Sequence, residues 1–308
     1  MYIDFEKWHG AKNDFLVTWI LTTERDLLIP TLERLSPAIC ARDGGGVAAD
    51  GILVIVHRSR KDHLPEELVI INSDGSIAKN CGNGLRCAAR SVRSKAESLG
   101  VIDLDGVTFN VQGRVINCRY LGKSGSPFVA VTMPVPVVGD EIPWHGEAIT
   151  STKQLQSSTP GLKGDIQTVD IGNPHIVISV AAASADLAKT AGSSLQIIRG
   201  GDGVNLHLSE PLEMTNADQQ RARRDIGEEI GELVKVIPFE RGAGLTMACG
   251  TGACAVGVSM LSTGLSERDL WIGVDMPGGR LYVKQDSEDD PVILAGPAQF
   301  VFSGRLEI

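Results

Sequence analysis

Apolar and polar positions alternate over Tyr2-Ile3-Asp4-Phe5-Glu6-Lys7, a period of two that predicts a first strand over residues 1–8. A polar turn at 9–15 leads into the apolar run Leu16-Val17-Thr18-Trp19-Ile20-Leu21, read as the next strand. Leu32, Leu35, Ile39 and Cys40 then recur at helical spacing and predict a short helix over 31–41. Apolar runs at 52–56 and 68–71 read as strands, with a polar, solvated excursion at 57–67 between them. Asn72-Ser73-Asp74-Gly75-Ser76 is a strong turn signal, and a helix is predicted over 82–98, ending before Gly100. Strand-like runs follow at 101–104, 107–111, 114–120 and 128–132, until Met133-Pro134-Val135-Pro136 interrupts the pattern as a candidate domain boundary.

The second half opens with a polar, weakly patterned region, 139–165. Val169-Asp170-Ile171-Gly172-Asn173-Pro174-His175 leads to a strand at 176–180, and residues 183–198 are helix-like. Residues 203–208 read as a strand with a polar inward position, 216–233 as a charged, exposed helix, and 234–239 as a strand. Strands return at 270–276, 280–284, 291–294 and 298–303, with turns at Pro277-Gly278-Gly279 and Asp289-Asp290. Many short strands with one buried helix in each half predict an α+β protein of two similar lobes. The expected division is 1–133 with 297–308, and 134–296. The final strands are expected to pair back with the first lobe, because a C-terminal strand needs an edge to join.

One stretch occurs twice. Cys81-Gly82-Asn83-Gly84 and Cys249-Gly250-Thr251-Gly252 each follow apolar residues and run into a small-residue segment with a second cysteine, Cys87 or Cys254. Both read as a tight turn delivering a cysteine to the start of a buried helix, where small residues allow deep packing. A helix start presents unpaired N–H groups and a positive dipole end, so a cysteine there is expected to lose its proton more easily. Repetition of the whole glycine turn points to function for Cys81 and Cys249. Cys40, Cys87, Cys118 and Cys254 read as core packing.

At 308 residues, with 43% apolar and 5% aromatic residues, the chain reads as a soluble globular protein. A net charge of −9 and the lack of any basic run argue against a nucleic-acid partner. No apolar run approaches the roughly 20 residues of a membrane-spanning helix, and the N-terminus lacks signal-peptide features. Six cysteines without a Cys-x-x-Cys pair, and no histidine pair at ligand spacing, argue against both a disulfide scaffold and a zinc site. A reducing cytoplasm with free thiols is the expected setting. The glycine cluster at 42–51 lacks the Gly-Lys-Ser/Thr ending of a phosphate-binding loop and opens into a strand, so it reads as a flexible loop near a site.

A thiolate and a thiol facing each other across a cleft can invert a stereocentre without a cofactor. One removes a proton from one face of a carbon while the other delivers a proton to the opposite face. Amides at both helix starts would hold a carboxylate and spread the carbanion's charge. A redox disulfide between the two cysteines is the competing chemistry; such couples more often use Cys-x-x-Cys.

The chain resembles the diaminopimelate epimerases. The resemblance rests on HGAKNDF (9–15), RDGGGVAADG (42–51), NSDGSIAKNCGNGLRC (72–87), GNPH (172–175) and ERGAGLTMACGTGACA (240–255), with weaker echoes at PGG (277–279) and GPA (296–298). It implies two pseudo-symmetric lobes, each a curved antiparallel sheet around a central helix, with the substrate in the cleft between them. It implies that Cys81 and Cys249 are the acid–base pair and that the amides of Gly82, Asn83, Gly250 and Thr251 hold the reacting carboxylate. Asn13, Asn72, Asn173, Asn205 and Arg241 would bind the substrate, largely its distal end, with His175 and Glu240 beside the reacting centre. No cofactor and no metal are implied. The partner would be a small amino acid, and the enzyme a cytoplasmic homodimer on the route to lysine and peptidoglycan.

The sequence departs from the family pattern at Lys12 and Ala48, where glycine is usual, at Leu245, where glutamate is common, and at Gln285, where an aromatic is common. Segments 57–67 and 212–233 look longer than is typical. None of these removes a catalytic group. They leave open a racemase of the same fold acting on another amino acid, such as histidine. A phenazine-pathway isomerase shares the fold but lacks the paired cysteines.

Overall fold

The structure is a computed structural model and describes residues 1–122, 125–139, 162, 164–198 and 205–308. Most of the weakly patterned 139–165 region, and residues 203–204 of the predicted 203–208 strand, lie outside the described residues. The fold is α+β. The chain divides into two compact units, Met1–Thr132 with Gly296–Ile308, and Met133–Ala295.

In the first unit a six-stranded sheet runs in the order Gln299–Glu307, Tyr2–Gly10, Asn13–Leu21, Gly51–His57, Glu67–Asn72, Ile77–Ala78. Tyr2–Gly10 and Asn13–Leu21 form a hairpin, and the helix Arg25–Ile39 crosses over to set Gly51–His57 parallel to the second strand. Glu67–Asn72 returns antiparallel. The C-terminal strand does pair back, with Tyr2 opposite Glu307 and His9 opposite Gln299. The chain then enters the helix Gly82–Ser98 and closes with a meander, Gly106–Val111, Arg114–Tyr120 and Phe128–Thr132. Residues 101–105 are not a strand, contrary to the reading of 101–104.

The first helix starts six residues before the predicted 31–41, with Pro30 inside it. Burial of Leu28, Ile29 and Leu32 on one face extends the helix back through a residue that normally ends one.

The second unit repeats this order of elements. Its sheet runs Ile293–Pro297, Gly279–Lys284, Trp271–Met276, Ile230–Glu240, Asn205–Leu212, Pro174–Ser179, Ile166–Asp170, Val137–Val138. Again there is an antiparallel pair, here Ile166–Asp170 with Pro174–Ser179. A crossover helix, Ala185–Ile198, leads to the parallel strand Asn205–Leu212 and an antiparallel return. A two-residue strand, Gly244–Leu245, then precedes the helix Gly250–Ser262 and a three-strand meander. The charged 216–233 segment is not one helix. A helix Asn216–Asp225, capped by Thr215 and Asp218, stops at Gly227, whose φ of +83° suits a left-handed helix end. The next residues join the strand Ile230–Glu240. Among the described residues no helix is long and apolar enough to cross a membrane.

Two of the departures from the family pattern carry backbone strain. Lys12 has φ +66° and Ala48 φ +58°, in the left-handed region that a glycine enters freely. Ala48 leads into the strand Gly51–His57, and its carbonyl accepts a hydrogen bond from the buried Lys7 ammonium. Ala48→Gly removes a left-handed cost of about 1–2 kcal/mol and adds back about 0.5–1 kcal/mol of backbone entropy. It should therefore raise unfolding free energy by about 0.5–1 kcal/mol, whereas Ala48→Val should lower it by about 1–3 kcal/mol. Denaturant titration of both variants checks this; a glycine variant as damaged as the valine one would contradict it.

Candidate active site

In the first unit Cys81 has extended backbone, φ −156° and ψ 98°, and caps the helix Gly82–Ser98, its Sγ accepting the Gly84 N–H at 3.4 Å. The helix is buried at every residue from Gly82 to Ala89, so it enters the unit's interior at once. Its first intrahelical bond runs from the Leu85 N–H to the Cys81 carbonyl. The N–H groups of Gly82 and Asn83 precede that bond and have no acceptor within the helix.

A polar network holds this turn. The fully buried Arg86 donates to Asn83 Oδ1 at 2.6 Å, to the Gly82 carbonyl at 3.3 Å and to the Pro297 carbonyl at 3.5 Å. Asn83 in turn donates to Asn13 Oδ1 at 3.1 Å, and Asn13 donates to Asp50. Asp50 also accepts the Asp14 N–H at 2.9 Å and an Arg42 N–H at 2.8 Å. Asp14 pairs with Lys7 at 2.7 Å and with Arg42. Burial pushes the Asp14 carboxyl up, and the bonds from Lys7 and Arg42 more than offset this, holding it below its ordinary value. The glycine-rich 42–51 loop, expected to be flexible, therefore clamps Asn13 to the cysteine turn. Asn72, at the end of its strand, is exposed; its side chain donates to Ser76 at 2.9 Å and the next N–H, of Ser73, bonds to the Asp50 carbonyl.

In the second unit Cys249 caps the helix Gly250–Ser262 with φ −126° and ψ 111°. The Ala253 N–H to Cys249 carbonyl bond leaves the Gly250 and Thr251 N–H groups ahead of the helical ladder. Cys249 Sγ lies 3.6 Å from Thr251 Oγ1, and its own N–H points at Met276 Sδ, 3.4 Å away. Burial, and then the Glu240 carboxylate beside the sulfur, push this thiol well above its ordinary value, against the Gly252 N–H that favours the thiolate. The helix-start argument is thus corrected for Cys249: desolvation and a neighbouring anion outweigh the helix end, and the group rests as a thiol.

His175 is fully buried, and its Nδ1 lies 2.8 Å from Nε2 of His207, which is likewise fully buried. Their strands are parallel neighbours, with Val177 opposite His207, so both rings lie on one face of the sheet. Burial, with the neighbouring His207 ring, holds His175 well below its ordinary value, and burial takes His207 down to about 3. Both rings are neutral at pH 7. Asn205 donates to the Pro174 carbonyl at 3.2 Å and accepts the Arg241 N–H at 3.1 Å, fastening the His175 strand to the Glu240–Arg241 turn. Glu240 accepts a hydrogen bond from Thr246, the Arg241 side chain is exposed, and Asn173 is half-buried in the turn before His175. Cys40, Cys87, Cys118 and Cys254 are buried, as expected for core thiols, and none of the six cysteines is in a disulfide.

Three further residues build the site beyond those the sequence points to: His207, Arg86 and Asp50. Of these, His207 had a signal: a polar residue on the inward side of an otherwise apolar strand.

The diaminopimelate epimerase family model matches residues 5–111 and 167–301. The chain belongs to that family. It is 32% identical to the diaminopimelate epimerase of Cupriavidus metallidurans over all of this chain and 98% of that one. It is 31% identical to that of Xanthomonas axonopodis pv. citri over 98% and 95% of the two chains. A solved PhzF-family phenazine biosynthesis protein from Bacillus anthracis covers the whole of both chains with a TM-score of 0.68 at 14% identity, a likeness of fold alone. The chain is therefore an enzyme of the diaminopimelate epimerase family carrying one cysteine-capped helix in each unit.

The surroundings of Cys249 make two variants informative. A Cβ at Gly252 would stand 2.2 Å from His207 Cε1, so Gly252→Ala must push the helix start off the ring. Its activity should fall by about 10²-fold, the cost of a shift near 1 Å; unchanged activity would show that this contact does not set the turn. Glu240→Gln removes the carboxylate that raises the thiol, so alkylation of Cys249 at pH 8 should become faster, read by peptide mass spectrometry against time. A slower or unchanged rate would remove Glu240 as a cause of the shift.

Proposed function

We propose that the chain interconverts LL- and meso-diaminopimelate by a cofactor-independent two-base reaction, with Cys81 and Cys249 as the acid–base pair. The observation that carries this reading is the repetition of one cysteine-capped, glycine-lined helix start in both units of a chain of this family. A cysteine placed there brings its own pair of ladder-free N–H groups, from Gly82 and Asn83 or from Gly250 and Thr251. Those amides would meet the α-carboxylate and take up the charge that grows on it as the α-proton leaves.

The setting of Cys249 suggests which of the two thiols is the acid. Cys249, buried beside Glu240, keeps its proton at neutral pH and acts as the acid; Cys81, half-buried and accepting the Gly84 N–H, acts as the base. Each turnover exchanges the two roles, and the reverse reaction begins from the exchanged state. His175, neutral, lies beside the reacting centre with Glu240. Asn13, Asn72, Asn173 and Arg241 would bind the distal amino-acid end, Arg241 through its two-pronged guanidinium. Asn205 would bind the substrate too, while its side chain also fixes the Arg241 turn through two backbone groups. The enzyme would act in the cytoplasm as a homodimer, supplying lysine and peptidoglycan synthesis.

Incubation of the reduced protein with LL-diaminopimelate should yield the meso form, resolved by chiral chromatography. Cys81→Ala and Cys249→Ala should each lose at least about 10²–10⁴-fold, the range of one acid–base group. No meso product from freshly reduced protein would overturn the proposal. Faster turnover of another amino acid, histidine among them, would move the substrate assignment to that compound.

A further inference from the structure

One ligand-type atom each from His175, His207 and Cys249 lies within 4.8 Å of the other two, and all three residues are buried. They come from three separate elements: the strand Pro174–Ser179, the strand Asn205–Leu212 and the start of the helix Gly250–Ser262. The two imidazoles already meet at 2.8 Å, and each keeps one further buried nitrogen, His175 Nε2 and His207 Nδ1, without a hydrogen-bond partner among the described residues. Gly252 lets the His207 ring and the Cys249 turn approach closely, since any side chain there would fill the gap.

We propose that His175, His207 and Cys249 form a binding site for a borderline-soft divalent transition cation of the zinc class. Two imidazoles and one thiolate are the donor set such ions select, and three protein ligands leave the fourth tetrahedral position open. Metal–nitrogen bonds near 2.0–2.1 Å and a metal–sulfur bond near 2.3 Å put tetrahedral ligands about 3.3–3.8 Å apart. The ring nitrogens now 2.8 Å apart must part by about half an ångström, and separations of up to 4.8 Å must close by about 1 Å. Binding forms one metal–sulfur and two metal–nitrogen bonds. The thiol proton is released to solvent, and the proton shared between the rings moves to the outer nitrogen of its own ring, so both imidazoles stay neutral. The complex gains one net positive charge at the sulfur, and the Glu240 carboxylate beside it supplies the balancing negative charge.

If Cys249 is the proton donor proposed above, the bound cation takes that thiol out of the reaction, so metal and turnover exclude each other; this last step alone rests on the proposed function. The site itself does not.

The experiment uses the full chain, reduced and freed of metal with a chelator, titrated with Co²⁺. One cobalt per chain should bind, with thiolate-to-cobalt charge-transfer absorption in the near ultraviolet and the intense visible bands of four-coordinate cobalt. Zn²⁺ should displace it. Cys249→Ala should abolish the charge-transfer band, His207→Gln and His175→Gln should each weaken binding at least about tenfold, and Cys81→Ala should leave the band in place. No charge-transfer band in the wild-type chain, or one that survives Cys249→Ala, overturns the proposal. Zinc X-ray absorption on the wild-type chain needs no variant. It should show one sulfur and two imidazoles, and a shell lacking either kind of ligand overturns the site. Neither readout uses turnover, so a chain that binds cobalt here but epimerises nothing refutes the proposed function and leaves the metal site standing.

Discussion

Each cysteine-capped helix begins in the interior of its unit only because glycines at set positions let its backbone approach the neighbouring side chains, and the rest of this structure depends on that close approach. At Gly252 even a methyl group would lie 2.2 Å from the His207 ring, and at Gly257 it would meet Val283 at 2.6 Å. At Gly84 the nearest atoms would be Leu53 Cδ2 at 3.0 Å and Cys81 Sγ at 3.3 Å. The glycines therefore do two things at once. They let the helix lie against its sheet, and they leave the capping cysteine next to N–H groups that the helical ladder does not use. Under the proposed function, one turn would supply both the thiol that moves a proton and the amides that hold the resulting charge.

The two copies are alike in backbone and unlike in surroundings. Cys81 is half-buried, and its turn is held by Arg86, Asn83, Asn13 and Asp50, a chain of polar groups anchored in the ion cluster of Lys7, Asp14 and Arg42. Cys249 is buried against Glu240, Thr251 and the neutral histidine pair. A buried thiol next to a carboxylate holds its proton. Under the proposed function, the burial of Cys249 beside Glu240, rather than the helix end it shares with Cys81, would suit it to be the acid.

Much of this was legible along the chain because the signals are local. The helix 82–98 is bounded by a cysteine turn and by Gly100, and its limits follow from those residues alone. The strands at 52–56, 68–71 and 128–132 are short apolar runs between turn residues, and they were found within a residue or two. What the sequence hides is contact across distance and local overrides. The helix over 25–39 passes through Pro30 because Leu28 and Ile29 are buried. The segment 216–233 changes from helix to strand at Gly227, which its charge pattern does not announce. The glycine loop at 42–51 looked loose because its partners, Asn13 and Asp14, are some thirty positions away. His207 is the sharpest case: 32 residues separate it from His175, and neither residue type nor spacing foretells a 2.8 Å contact between them.

The two-thiol reading is tested most directly by following where deuterium goes in the first turnovers. With LL-diaminopimelate in D₂O, two separate bases predict that the meso product carries solvent deuterium at the inverted carbon while recovered substrate stays unlabelled. Equal early labelling of substrate and product would mean that a single group removes and returns the proton, and the assignment of separate roles to Cys81 and Cys249 would be wrong.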